Sequence, residues 1–165
     1  MRQIGKHEFA ELLVQHRQSF YRIAYSYMKN EQDALDIVSE ATCRGLSHRK
    51  ELREPEYFKT WMTRIVINTA LETLRKNSRQ TPLEDYMLEE RFVSIREPER
   101  DFDLYTALDA LGAEDKSFII LKYFEEYSFK EMALLLEMPE STVKSRVYRC
   151  LDKMRFYMEG GVKAW

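Results

Sequence analysis

The sequence predicts an all-α fold of two small helical domains joined by a linker, and three observations support it. Apolar residues recur at helical spacing through most of the chain, whereas five Gly and four Pro among 165 residues are few for an all-β protein. Hydrophobic residues make up 44% of the chain, enough for one moderate core or two small ones. A segment with Pro82, Pro98 and little periodicity separates two helical blocks. We expect domains at 1–78 and 102–165 and a linker at 79–101.

The first two predicted helices meet near Lys29 and Asn30. One helix rich in Tyr and Phe covers 9–28, and Asn30 is a good N-cap for the next. On that second helix the residues expected to face the core are Leu35, Val38, Ala41, Thr42 and Leu46. The acidic residues Asp33, Asp36 and Glu40 line up on another side, with Ile37 beside them. This stripe is either an ordinary solvated face or a docking face for a basic partner.

A third helix is predicted to begin near Pro55, which suits a first helical turn. Its wide apolar arc, which predicts a mostly buried helix, consists of Phe58, Met62, Ile65, Val66, Ile67, Ala70, Leu71 and Leu74. The remaining narrow sector holds Trp61, Arg64, Asn68, Glu72 and Arg75. Aromatic, cationic and amide groups in one row are suited to unpaired nucleic-acid bases and their backbone. Periodicity alone equally allows Trp61 to close the edge of the core.

Two short helices around a tight turn are predicted near the C-terminus. Ser128 and Glu131 have the spacing of a capping box, so a helix begins there. Its apolar face is predicted to contain Phe129, Met132, Ala133 and Leu136, and Pro139 to end it. A short turn between two such helices is the arrangement of a helix-turn-helix.

The last predicted helix runs from Ser141 to about Met158 and has two distinct faces. Val143, Val147, Cys150, Leu151 and Met154 form its core stripe. The predicted opposite face carries Thr142, Ser145, Arg146, Arg149 and Lys153, with Lys144 and Arg155 on its flank. Such a face can be merely solvated, but after a capped helix and a tight turn it is typical of a helix that binds the DNA major groove.

Charge and composition exclude several classes of protein. The net charge is −2, but the charges are unevenly distributed along the chain. The segment between Gln80 and Asp115 contains eleven acidic residues and three arginines, so the ends of the chain are locally cationic. We find no constellation of catalytic residues, no ligand spacing for a metal and no sign of a cofactor. No segment resembles a signal peptide or a membrane span, so we expect a cytoplasmic protein with Cys43 and Cys150 as reduced thiols.

Four segments occur in a recognisable order: 20–25 (FYRIAY), 33–38 (DALDIV), 58–68 (FKTWMTRIVIN) and 139–146 (PESTVKSR). In order and spacing they resemble bacterial sigma factors of the extracytoplasmic-function (ECF) type. The resemblance implies two helical domains, called regions 2 and 4, and a function as the promoter-specificity subunit of RNA polymerase. It implies no enzymatic activity of the chain itself. A two-domain helix-turn-helix regulator that is not a sigma factor is the alternative.

The resemblance also assigns roles to residues. Asp33, Asp36, Ile37 and Glu40 would dock on the clamp helices of the polymerase β′ subunit. Trp61, Arg64, Asn68 and Arg75, with the loop at 49–57, would meet the −10 element, with Asn68 at a flipped base. Thr142, Lys144, Ser145, Arg146 and Arg149 would read the −35 element, and the polymerase β flap would contact region 4.

The family also implies an anti-sigma partner, often anchored in the membrane, which would tether this cytoplasmic chain until a stress signal arrives. Two positions depart from the family pattern. Glu137 stands where a Gly is usual in the turn, and Ser141 where a Gly often precedes the Thr of the second helix. A non-Gly residue in a left-handed turn costs on the order of 1 kcal/mol, so we expect strain or a modified turn at Glu137.

Overall fold

The first two helices form a hairpin whose turn depends on two adjacent residues. The structure is a computed structural model that describes residues 2–80 and 102–159. Helix α1 (Lys6–Met28) ends at Lys29, which takes the left-handed conformation with φ 62° and donates its backbone N–H to the Tyr25 carbonyl. Helix α2 (Glu31–Ser47) begins at Asn30, whose side chain accepts a hydrogen bond from the Asp33 amide. This N-cap confirms the sequence prediction.

Two short 3₁₀ turns, Arg49–Glu51 and Pro55–Tyr57, lead into helix α3 (Phe58–Gln80). Pro55 opens the second turn, as predicted for a first helical position. The α3 side chains Phe58, Met62 and Val66 are at most 1% exposed, so this helix is the centre of the core. Phe58 packs edge-on against Phe9 of α1, with ring centroids 5.3 Å apart.

The core face of α2 differs from the predicted one. Its buried residues are Ala34, Ile37, Ala41 and Gly45, whereas Leu35 is 45% exposed. The reason is close packing, because a Cβ atom added at Gly45 would lie 2.8 Å from Met62 Sδ. A helix that approaches its neighbours this closely buries its small residues, so the most hydrophobic stripe is a poor guide to its core face.

The C-terminal region contains four α-helices in its described part. They are α4 (Phe102–Asp109), α5 (Ala113–Ile119), α6 (Phe129–Leu136) and α7 (Glu140–Met158), with a π-helical segment, Ile120–Phe124, directly after α5. The core between α4, α5 and α7 is built from Ala107, Leu108, Leu111, Ile119, Cys150 and Met154. The predicted core stripe of the last helix is confirmed, with Leu151 partly buried at its edge.

The helix-turn-helix consists of α6 and α7, and its cap is confirmed. The Ser128 hydroxyl accepts from the Glu131 amide at 3.1 Å, and the Glu131 carboxylate accepts from the Ser128 amide at 2.7 Å. Helix α6 ends at Leu136 rather than at Pro139, because Glu137 takes the left-handed conformation with φ 56°. Pro139 is instead the N-cap residue of α7.

The buried residues of α6 are Met132 and Leu135, whereas its neighbour Leu134 is 72% exposed. Met132 belongs to the predicted face, but the other predicted residues Phe129, Ala133 and Leu136 are only partly buried, and Leu135 was not predicted. The core face of α6 is therefore the side that carries Met132 and Leu135, because periodicity on so short a helix allows more than one apolar face.

The chain forms two compact units, Met1–Leu74 and Arg75–Trp165. Every regular element described above is helical, and no strand occurs in residues 2–80 or 102–159. The predicted linker at 79–101 begins within α3, and its residues after Gln80 lie outside the described part of the chain. None of the described helices is both long and apolar enough to cross a membrane.

Candidate nucleic-acid and partner interfaces

The N-terminal half of α7 has an exposed polar face. Thr142, Lys144, Ser145 and Arg149 are all exposed there. Lys144 is 3.6 Å from Glu140 one turn earlier, a solvent-accessible pair that can open at little cost. These four side chains are therefore available to a ligand that approaches the start of this helix.

Arg146 is less exposed than these four residues. Its side chain is 30% exposed and donates to the carboxylate of Asp115 on α5 at 2.8 Å. The guanidinium also lies 5.0 Å from the centre of the Phe118 ring. Helix α5 thus covers Arg146 from the side. Periodicity on one helix cannot show a charged partner on another, and a role of Arg146 at the −35 element stays a prediction.

Lys153, also placed on the polar face from sequence, points to the same carboxylate. Its amine is 3.5 Å from Asp115 Oδ2, and its side chain is 22% exposed. Burial by itself raises the pKa of Asp115, but the hydrogen bond from Arg146 and the charges of Arg146 and Lys153 outweigh it and hold that pKa below its ordinary value. Asp115 is therefore a carboxylate at neutral pH.

The polar sector of α3 is exposed along its length to different degrees. Trp61 and Arg64 are partly buried, whereas Asn68, Glu72 and Arg75 are exposed. The Trp61 ring lies 6.3 Å from that of Phe58, so this residue closes the edge of the core and still presents part of its surface to solvent. Both roles considered for Trp61 from the sequence are compatible with this position.

The acidic stripe of α2 is exposed at Asp33, Asp36 and Glu40 but not at Ile37. Ile37 is 2% exposed and belongs to the core, which corrects its assignment to the docking face. Leu35 is 45% exposed, but side chains one or two positions apart do not share a helix face, so it lies away from the three acids. The stripe thus keeps its predicted charge and loses its predicted apolar residue.

Each carboxylate of the stripe also has a polar neighbour. Asp33 accepts from the Asn30 side chain at 2.7 Å, and Asp36 from the Gln32 side chain at 3.1 Å. Glu40 is 2.6 Å from Arg44, which reaches across to Glu72 of α3 at 2.7 Å. The partner of Asp36 is thus an uncharged amide, whereas the charge of Glu40 is partly offset by Arg44.

Three residues of these surfaces were missed from the sequence. Asp115 was counted as part of an acidic segment, and nothing in its spacing shows that α7 supplies its partners. Leu35 was placed in the core because its helical spacing matches that of Val38, Thr42 and Leu46. Tyr148 on α7 is 55% exposed and packs with Phe129, with ring centroids 6.1 Å apart. The sequence offered one indication that Tyr148 belongs to this surface, because it directly precedes the predicted DNA-binding residue Arg149.

The two cysteines differ in surroundings. Cys43 is exposed and Cys150 is buried, and neither is in a disulfide. Burial, reinforced by the charge of Asp115, raises the pKa of the Cys150 thiol to about 11. Within the two described ranges, no three His, Cys, Asp or Glu side chains gather in a way that could hold a metal ion.

Comparison with known proteins identifies both helical units. Residues 12–80 match Sigma-70 region 2, and residues 101–154 match Sigma-70 region 4. The first match contains α2 and the polar sector of α3, and the second contains the helix-turn-helix. The chain belongs to the sigma-70 family of RNA polymerase sigma factors, in its ECF group.

Relatives match over most of the chain. RNA polymerase sigma factor SigV of Bacillus subtilis is 38% identical over 146 residues, which cover 88% of each protein. ECF RNA polymerase sigma factor SigE of Mycolicibacterium smegmatis is 30% identical over 159 residues, covering 90% of this chain and 60% of that protein. The match with SigV spans both units, so the family resemblance noted in the sequence is confirmed.

Two solved structures show the same fold. The sigma factor RpoE in complex with the anti-sigma factor NepR from Bartonella quintana has a TM-score of 0.72 at 19% identity and covers 94% of this chain and 98% of its own. CnrH in complex with the cytosolic domain of CnrY has a TM-score of 0.70 at 19% identity, with 96% and 92% covered. At these identities the likeness concerns the fold.

Proposed function

We propose that this chain directs core RNA polymerase to specific promoters as an ECF-type sigma factor. The observation that carries the proposal is the match with SigV across both units, since a plain helix-turn-helix regulator would share only the second. The polymerase performs the chemistry of transcription, and this chain acts by binding, without catalysis of its own.

The acidic face of α2 is proposed to dock on the clamp helices of the β′ subunit. Asp33, Asp36 and Glu40 supply negative charge for a basic partner surface. Charge of this kind mainly speeds and orients the encounter. The β flap is proposed to contact region 4.

The polar sector of α3 is proposed to bind the −10 element. Trp61 offers part of an aromatic face, Arg64 and Arg75 are suited to phosphates, and Asn68 is exposed between them. Extrusion of a base costs a few kcal/mol, and a polar contact from Asn68 would offset part of that cost. The loop at 49–57 precedes this helix and is proposed to complete the pocket.

The −35 element is proposed to be read by the exposed face of α7. Thr142, Lys144, Ser145 and Arg149 lie on the first turns of this helix, where a recognition helix meets base edges and phosphates. Arg146 is left out of this set because its guanidinium is held by Asp115 and Phe118.

Regulation is proposed to come from an anti-sigma partner. Both solved structures named above are sigma factors bound to anti-sigma factors, which supports the same arrangement here. The chain would act in the cytoplasm, tethered to the membrane through that partner until a stress signal releases it. Pull-down from the native cell should recover a second protein besides polymerase, and recovery of polymerase alone under every growth condition would count against this regulation.

Transcription in vitro with purified core polymerase and a pooled genomic template tests the main proposal. We expect discrete new starts that share two upstream elements. Asp36→Arg should abolish them by reversing charge on the docking face, whereas Glu11→Arg, the same change at an exposed residue of α1, should not. Folded chain that yields no new start, but binds a duplex operator tightly, would make it an ordinary helix-turn-helix regulator.

A further inference from the structure

Asp115 on α5 gathers three cations from successive turns of α7. Its carboxylate is 2.8 Å from Arg146, 3.5 Å from Lys153 and 4.0 Å from Arg149. The Asp115 backbone carbonyl also accepts a weak hydrogen bond from the Cys150 thiol at 3.7 Å, so backbone and side chain both contact the same helix. Asp115 is therefore one of the contacts that position α7 on α5.

The three cations are not equally committed to this carboxylate. The side chains of Arg146 and Lys153 are 30% and 22% exposed, whereas Arg149 is 58% exposed at the limit of ion-pair distance. A short, partly buried pair is costly to break, while a long, exposed one opens freely. Asp115 thus withdraws Arg146 and Lys153 from the surface and leaves Arg149 on it.

We propose that Asp115 is a positioning residue that sets DNA specificity by holding two cations of the recognition helix away from the duplex. The inference rests on the proposed −35 function of α7. Non-specific affinity depends on how many cations reach phosphates, whereas specific affinity also depends on base contacts. With Asp115 in place, α7 keeps Arg149 and Lys144 for the duplex and gains little affinity for unrelated sequences.

Removal of the Asp115 charge should therefore change the two kinds of binding differently. Arg146 and Lys153 would become free to approach phosphates, and a carboxylate near the duplex would be lost. Each added phosphate contact steepens the dependence of log affinity on log salt by about 0.9, so we expect the slope to steepen by about one to two. Affinity for unrelated duplex should rise, and the ratio of specific to non-specific affinity should fall roughly tenfold.

The test uses the full chain with Asp115→Asn, which keeps the shape of the side chain and removes its charge. The probes are a random-sequence duplex pool and the duplex that the wild-type chain selects from that pool, each titrated at several salt concentrations. Asp152→Asn is the matched control, because it makes the same charge change on α7 at a side chain that is 76% exposed and contacts Arg155. The control should alter the slope by less than half as much.

Lys153→Met in the wild-type background keeps the inference testable if Asp115→Asn does not fold. It should leave the salt slope for random duplex unchanged, because Lys153 is held by Asp115 and does not reach DNA. Where Asp115→Asn does fold, adding Lys153→Met to it should remove part of the gained slope. This second result distinguishes a positioning role from a merely structural one, which would make no such link between the two residues.

Three results would overturn the inference. They are an unchanged slope in folded Asp115→Asn, an equal loss of affinity for both probes, or a shallower slope in Lys153→Met alone. The proposed function fails separately, if the wild-type chain selects a duplex but directs no transcription start by core polymerase. In that case the duplex titrations still decide the role of Asp115.

Discussion

Each unit contains a network of ion pairs that joins two helices, and the central residues of the two networks have opposite charges. In the first unit Arg44 lies between the carboxylates of Glu40 and Glu72, and all three side chains are at least 37% exposed. In the second unit Asp115 lies among three cations, and its side chain is 14% exposed. Exposed pairs contribute about 0.2–1 kcal/mol, whereas removal of one partner from a buried pair costs several times more.

The difference shows where each unit obtains its stability. Region 2 is held by close packing at Gly45 and the Phe58 core, so its charged surface is available to partners. Region 4 uses part of its charged surface to hold its own recognition helix. Substitutions that remove one charge should therefore have unequal effects in the two units.

The largest effect is expected for Arg146→Ala. Loss of a charged hydrogen bond to a mostly buried carboxylate should destabilise region 4 by about 2 kcal/mol. Arg149→Ala should change stability by less than about 0.5 kcal/mol and weaken binding to the −35 element by about 1–3 kcal/mol. Urea unfolding and duplex titration measure the two effects. Equal stability of the two variants would remove the distinction between Arg146 and Arg149.

Gly45→Leu tests whether packing holds region 2. An added side chain would meet Met62 Sδ and the Phe9 ring, which a Cβ atom alone approaches to 2.8 and 3.2 Å. Overpacking of this kind typically costs about 1–3 kcal/mol. Thermal unfolding should show the loss, with Cys43→Leu on an exposed site of the same helix as control. A variant as stable as the control would mean that α2 can shift without cost.

Glu137→Gly should raise the stability of region 4, whereas the substitutions above lower stability. Glu137 takes a left-handed conformation with φ 56° and ψ 47°, which Gly adopts without steric cost. Relief of that strain should stabilise region 4 by about 0.5–1 kcal/mol, and urea unfolding measures it. If the variant is less stable, contacts of the Glu137 side chain outweigh the strain.

The smallest effect is expected for Arg44→Ala. Both of its ion pairs are solvent-exposed, so the loss should be at most about 1 kcal/mol and should shrink as salt is added. Unfolding at low and high ionic strength measures this. A loss as large as that of Arg146→Ala, or one that salt does not alter, would show that the two networks are equivalent after all.

The features that the sequence predicts correctly depend on local rules. The Asn30 cap, the Ser128–Glu131 capping box and the core stripe of α7 all follow from spacing along one segment. The features whose surroundings it does not show depend on a neighbouring helix. Ile37 is buried because small residues beside it permit close approach, and Arg146 is withdrawn because α5 supplies Asp115. Neither neighbour can be inferred from helical periodicity.

The buried thiol of Cys150 makes the docking of the recognition helix measurable over time. Its side chain is 0% exposed, and burial raises its pKa to about 11, so the docked helix gives alkylating reagents almost no thiolate to attack. Cys43, which is exposed, supplies an internal reference in the same molecule. The rate at which Cys150 is alkylated therefore measures how often α7 separates from α5.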